Sequence, residues 1–230
     1  MFYYDWPYLL IIPGMLLGLW AQHKVKSTYA EYSRIPTRLG RGAAGVVDDL
    51  LRRNGNNKVR IGRVSGQLTD HYNPATHTIN LSDAVYNSCS IAAAAVAAHE
   101  TGHALQHAKS YAPLKMRSSL VPVVNFAASW MQWVLLIGIL TIESFPQIML
   151  VGIILFGMTT LFSVITLPVE INASQRALAW LNTAGITNTQ THPMAKDALK
   201  WAAYTYVVAA LSSLATLVYY ILMFMGRSDD

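Results

Sequence analysis

His99, Glu100 and His103 stand in the run His-Glu-Thr-Gly-His. On a helix, residues four apart lie on one face, about one turn apart. Two imidazoles so placed reach one metal ion from the same side. Zinc accepts neutral imidazole nitrogens at roughly 2.0–2.1 Å and prefers about four ligands. Glu100 directly follows the first histidine, so it reaches a water beside the metal without being a ligand. A carboxylate there takes the water's proton and later hands it to a leaving amine. The pattern is the helix-borne signature of zinc-dependent peptide hydrolysis.

A catalytic zinc site needs about three protein ligands and one open position. The third must come from elsewhere in the chain. His107 lies four residues beyond His103. Eight residues of helix carry it about 12 Å from His99, too far for one ion with bonds near 2 Å. His107 is therefore expected at a surface or groove. Glu170 is the better candidate. It directly follows Leu167, Pro168 and Val169 at the end of an apolar stretch. A carboxylate at the edge of a membrane helix usually has a partner. The residues leave two partners open for it, the metal or Arg176 in an interfacial ion pair. Glu31 in a charged linker and Glu143 on the far side of the topology below are weaker candidates.

The elements that must hold these residues are mostly apolar. Apolar residues make up 53% of the 230, and charged residues only 13%. Soluble domains carry about 25% charged residues, so the composition points to a membrane protein. Four stretches approach the roughly 20 residues of helix that cross a bilayer. They lie at about 2–21, 120–142, 147–169 and 202–225. Pro7 and Pro13 interrupt the first. The opening run MFYYDW has no Lys or Arg, unlike a secretory signal, so that stretch is expected to stay as an anchor. A chain of this length cannot bury the other three in a soluble core. Cys89 is the one cysteine, so no intramolecular disulfide forms.

Charge sets the expected orientation. Ten basic residues lie from Lys24 to Arg63, three more are Lys109, Lys115 and Arg117, and Arg176, Lys196 and Lys200 follow the third stretch. A four-span topology thus puts 16 of the 17 basic residues on one side, with Arg227 alone on the other. By the positive-inside rule the charged side is cytoplasmic and carries the motif.

Residues 37–83 read as a small folded unit. Periodicity predicts a helix over 37–54, ended by Asn54-Gly55. Residues 59–64, 68–72 and 78–81 read as short strands, with a turn at Asn73-Pro74. Ser82 or Asp83 can cap a following helix. The motif helix is expected from near Ser90 to about Ala108, an Ala-rich core helix. The strand at 78–81 is expected at a sheet edge, where it would align an extended substrate. His71 on the preceding strand could face an oxyanion, but a structural role near the turn is the plainer reading. Neither it nor Asp70 or Tyr72 is assigned to catalysis.

The fold class expected is a mainly α membrane protein. It has about four transmembrane helices and a small α+β zincin-like cytoplasmic unit. All of 1–230 forms one metallopeptidase domain, with a catalytic unit of about 24–118 plus 170–200.

Three runs sharpen this reading. They are Gly66-Gln67-Leu68-Thr69-Asp70-His71-Tyr72, the motif run from Val96 to Ala108, and Leu167-Pro168-Val169-Glu170-Ile171-Asn172-Ala173-Ser174. Together with the order of the apolar stretches, they resemble the YugP-like neutral zinc metallopeptidases of bacterial membranes. More distantly the chain is similar to membrane zinc proteases that process prenylated proteins or clear damaged membrane proteins. The resemblance implies one zinc ion, a peptidase reaction and the cell membrane. It implies His99, His103 and Glu170 as ligands and Glu100 as the base. Distant relatives often have Asp four residues after that Glu, where this chain has Ser174. Ser174 or Asn172 would then orient a ligand histidine.

The function expected is a zinc endopeptidase acting on membrane-associated proteins or peptides. The expected partners are that substrate and the lipid bilayer, not nucleic acid. Two alternatives remain. An inactive scaffold with structural zinc would usually close its site with four ligands, often Cys, and only Cys89 exists. An intramembrane-cleaving protease would need an Asp from a membrane helix. Of the eight Asp, only Asp5, near the start of the first and weakest stretch, falls in one.

Overall fold

The computed structural model describes residues 9, 11–38 and 40–226. Residues 2–8 and 10 of the expected first span, and Arg227, lie outside the described residues. The helices are α1 (Ile11–Tyr32), α2 (Ala43–Arg53), α3 (Asp83–Tyr86), α4 (Ile91–Ala108), α5 (Ala112–Leu140), α6 (Pro146–Thr183) and α7 (His192–Gly226). Three strands, β1 (Arg60–Val64), β2 (His71–Asn73) and β3 (Thr78–Ser82), form one sheet in the order β1-β3-β2. The chain divides into two compact units. One takes Met116–Leu167, Thr205–Asp230 and Met1–Ala21, so far as these are described. The other takes Gln22–Lys115 and Pro168–Tyr204.

Among the described residues, α5, α6 and α7 are long and apolar enough to cross a membrane. Large side chains such as Trp133, Leu140, Ile154, Leu161 and Leu211 are exposed along them. Water would penalise that surface and lipid would not. The described part of α1 is not in this class. Its second half carries His23, Lys24, Lys26 and Glu31.

In the second unit, α4 lies between two clusters of apolar side chains. Ile91, Ala94, Ala95 and Ala98 pack with Val46, Leu50, Ala177, Leu181 and Leu199. Ala93, Ala97 and Ala104 pack with Val47, Leu51, Ile79, Leu81 and Val85. Burying one Leu or Ile side chain contributes about 1.5–3 kcal/mol, and Leu50, Ile79 and Leu81 are fully buried. The alanines carry little area themselves, but they let α2, α6 and the sheet come close. Ser90 caps α4, its Oγ accepting from the Ala93 N–H at 3.2 Å.

Three local expectations shift. The helix predicted from residue 37 begins at Ala43. Gly40 adopts φ +55°, and Pro36, Thr37 and Ala43 instead pair with residues 88–90, Thr37 N–H donating to Cys89 O and Ala43 N–H to Ser88 O. The strand predicted over 68–72 starts at His71, because Gly66 and Leu68 adopt positive φ in a turn closed by Thr69 Oγ1 donating to Ser65 O. The strand over 78–82 is not an edge. β3 is central, parallel to β1 and antiparallel to β2, so β1 and β2 are the edges.

Candidate metal centre

Each candidate ligand sits on a rigid helix. His99 and His103 are one turn apart on α4. Glu170 lies two residues beyond Pro168 on α6, which runs on as helix to Thr183. Gly102 sets the separation of these helices. A Cβ at this position would sit 2.8 Å from Ala173 O and 3.0 Å from Ala173 Cα. Only a glycine in the motif lets α6 approach that closely.

The result is a convergent triangle. His99 Nε2 lies 3.2 Å from His103 Nε2, and Glu170 Oε2 lies 3.2 Å from the first and 3.5 Å from the second. Tetrahedral ligands bonded at about 2.0–2.1 Å stand roughly 3.3–3.4 Å apart, so the three separations suit one small cation. Among the described residues, this is the group of three His, Cys, Asp or Glu that could hold a metal ion. The Glu170 side chain is 3% exposed, His99 14% and His103 11%. The carboxylate is sealed while the imidazole side stays open. His107, Glu31 and Glu143 are not in the group.

The far nitrogens of both imidazoles are held. Gln106 is fully buried. Its Nε2 donates to Val169 O at 2.9 Å and to Asn172 Oδ1 at 3.0 Å. Two oxygen acceptors fix which end of the amide is nitrogen. Gln106 Oε1 therefore faces His103 Nδ1 at 3.0 Å, and that nitrogen must carry the proton. The Nε2 lone pair of His103 is then free to face the triangle. Ser174 Oγ meets His99 Nδ1 at 3.1 Å and holds the orientation of that ring. Of the two residues that could replace the relatives' Asp, Ser174 contacts a histidine directly. Asn172 acts one step back, accepting also from Arg176 Nε at 2.7 Å.

Glu100 points to the sheet side of α4. Its Oε2 accepts the Tyr72 N–H of the edge strand β2 at 2.8 Å. Burial pushes its carboxyl above the ordinary carboxylate value. The charges of His103 and His99 and the Tyr72 amide offset this only in part, and Glu170 adds to the rise. A raised carboxyl is a better proton acceptor. Asp70 and His71 serve the sheet. Asp70 accepts the Ser82 N–H at 2.7 Å and the Ser82 hydroxyl at 3.0 Å. His71 has Thr69 O at 2.8 Å from Nδ1 and the Asn80 amide at 3.1 Å from Nε2.

Sequence reasoning passed over Gln106, Gly102 and the Tyr72 amide. Gln106 had a signal, a long polar residue three positions after the second histidine of an otherwise apolar helix. The Tyr72 contact had none, since it depends on which strand ends at the sheet edge.

No solved structure matches the chain. A "Putative membrane protease YugP" of Bacillus subtilis (strain 168) is 42% identical over 221 residues, covering 96% of this chain and 97% of that protein. A family model described as "Putative neutral zinc metallopeptidase" matches residues 7–225. Nearly the whole chain is covered by both, and it belongs to this neutral zinc metallopeptidase family.

Proposed function

We propose that the protein is a membrane-embedded zinc endopeptidase that hydrolyses membrane-associated proteins or peptides on the cytoplasmic side. The observation that carries this is the triangle of His99 Nε2, His103 Nε2 and the Glu170 carboxylate, with Glu100 beside it. The donor set, two imidazoles and one carboxylate, is that of catalytic zinc. A zinc ion held there supplies a Lewis acid for the scissile carbonyl and makes a neighbouring water more acidic.

The chain's own groups supply the rest. Glu100 accepts the proton of the attacking water on a carboxylate oxygen and returns it to the leaving amine. Gln106 keeps the His103 Nε2 lone pair aimed inward, and Ser174 holds the orientation of the His99 ring. β2 is the sheet edge beside Glu100. An extended substrate segment pairing there would bring its scissile bond alongside the base.

The bilayer is crossed by α5, α6 and α7, with residues 2–21 as a fourth span. The uneven distribution of basic residues supports a cytoplasmic site. The test of the ligand set is zinc occupancy. Glu170→Ala should lose most of its zinc and its activity, while His107→Ala should keep its zinc. Full zinc occupancy in Glu170→Ala would remove Glu170 from the site.

A further inference from the structure

A second cluster of imidazoles lies on the same face of α4. Glu100, Ala104, His107 and Ala108 succeed one another along that face. The last three line a cavity of about 490 Å³ together with Tyr72, His77, Lys58 and Lys109. Tyr72 belongs to both places. Its N–H reaches Glu100 at 2.8 Å, and its hydroxyl lies 2.8 Å from His107 Nδ1 and 3.4 Å from His77 Nδ1. The two imidazoles stack, with centroids 5.2 Å apart and planes at 24°. His77 is held over His107 by a left-handed backbone, φ +49°, in the β2–β3 turn. Such conformations cost energy and gather at functional sites.

Two imidazoles and a phenol could ligate a cation, but the surrounding charge has the wrong sign. Lys58 and Lys109 line the cavity, and among the described residues no Asp or Glu does. Burial, His77 and the charge of Lys115 all push the His107 imidazole below the ordinary histidine value. A dication would be repelled. An anion would gain two ammonium partners and an N–H or O–H donor from the imidazole–phenol cluster.

We propose that this cavity is a carboxylate subsite of the peptidase, binding an acidic side chain or the chain terminus of the substrate. His107 lies seven residues beyond Glu100, about 10 Å along the helix. An extended peptide covers that in about three residues. The carboxylate recognised is therefore two to four residues from the scissile bond. This rests on the endopeptidase reading, and the experiment separates the two.

Purified protein in phosphatidylcholine nanodiscs is offered quenched peptides. They carry Asp or Glu, or else Asn or Gln, at each position two to four residues from the cleaved bond. Each is made with a free and with an amidated C-terminus. The acidic peptide should show about ten- to hundredfold higher kcat/KM than its amide counterpart, mostly through KM, as expected for a charged hydrogen bond. The charge reversal Lys58→Glu with Lys109→Glu should turn the preference toward Lys-bearing peptides. A preference that survives amidation assigns an acidic side chain, and one that needs the free terminus assigns the chain end. In parallel, Glu100→Gln protein with ¹⁵N-labelled histidine is titrated with an acetylated acidic tripeptide. Shifts at His77 and His107 should depend on the carboxylate and vanish in the charge-reversed variant. Carboxylate-dependent shifts with no peptide ever cleaved would support the subsite and sink the endopeptidase. Cleavage without acid preference, or shifts given by phosphatidylglycerol nanodiscs and not by the peptide, would overturn the subsite.

Discussion

Gln106 Oε1 accepts a hydrogen bond from His103 Nδ1 at 3.0 Å, while the same side chain's Nε2 donates to Val169 O, beside Glu170. One buried amide thus ties a histidine of α4 to the turn of α6 that carries the carboxylate. Loss of such an orienting partner typically costs 10- to 100-fold in metal affinity. Gln106→Ala should weaken zinc binding by that amount, measured by competition with a chelator. Ser174→Ala should act in the same direction through His99. Ser174→Asp should restore affinity, because a carboxylate accepts the Nδ1–H at least as well as the hydroxyl. Unchanged affinity in Gln106→Ala and Ser174→Ala would mean the rings are held by packing alone.

Gly102→Ala tests the helix contact. Its new methyl would meet backbone atoms of Ala173, which cannot swing aside. Overpacking of this kind costs about 1–3 kcal/mol. Thermal unfolding should fall accordingly, and zinc affinity should fall with it as Glu170 is displaced. A variant of normal stability and normal zinc affinity would show that α6 does not need this approach.

His107 should titrate below the ordinary histidine value, for which burial is the first cause and His77 and Lys115 the others. Its folded pKa is the lower one, so the unfolded chain binds the proton more readily. Stability from this group is present at neutral pH and is lost as pH falls below the unfolded value. NMR titration of the imidazole checks the position. Lys115→Gln should move it up, and a downward move or none would contradict the assigned electrostatics.

Much of the site was legible from the sequence. The stretch from near Ser90 to Ala108 could be read as one helix because its Ala-rich run continues into the motif without Pro. Glu170 stood out because a carboxylate closing an apolar stretch demands a partner. Strand order was not legible, since the sequence of β1, β2 and β3 says nothing of β3 lying between the other two. The delayed start of α2 was hidden as well. It follows from pairing with residues 88–90, a contact fixed only when α4 is in place.

Topology has its own test. In a Cys89→Ser background, cysteines placed at Asn56 and Asn188 should resist an impermeant maleimide in intact cells. One at Ser144 should react. The basis is that 16 of the 17 basic residues flank the expected cytoplasmic side. Outside labelling at Asn56 or Asn188 would reverse the orientation or separate the two parts of the site.

The central claim is that Glu100 moves the proton and does not hold the metal. Its most direct test is zinc content and peptide hydrolysis measured together on purified Glu100→Gln. The expected result is a full zinc complement with hydrolysis reduced by at least about 10²–10⁴-fold, the usual cost of losing a general base. A zinc-loaded variant that cleaves at the wild-type rate would contradict it.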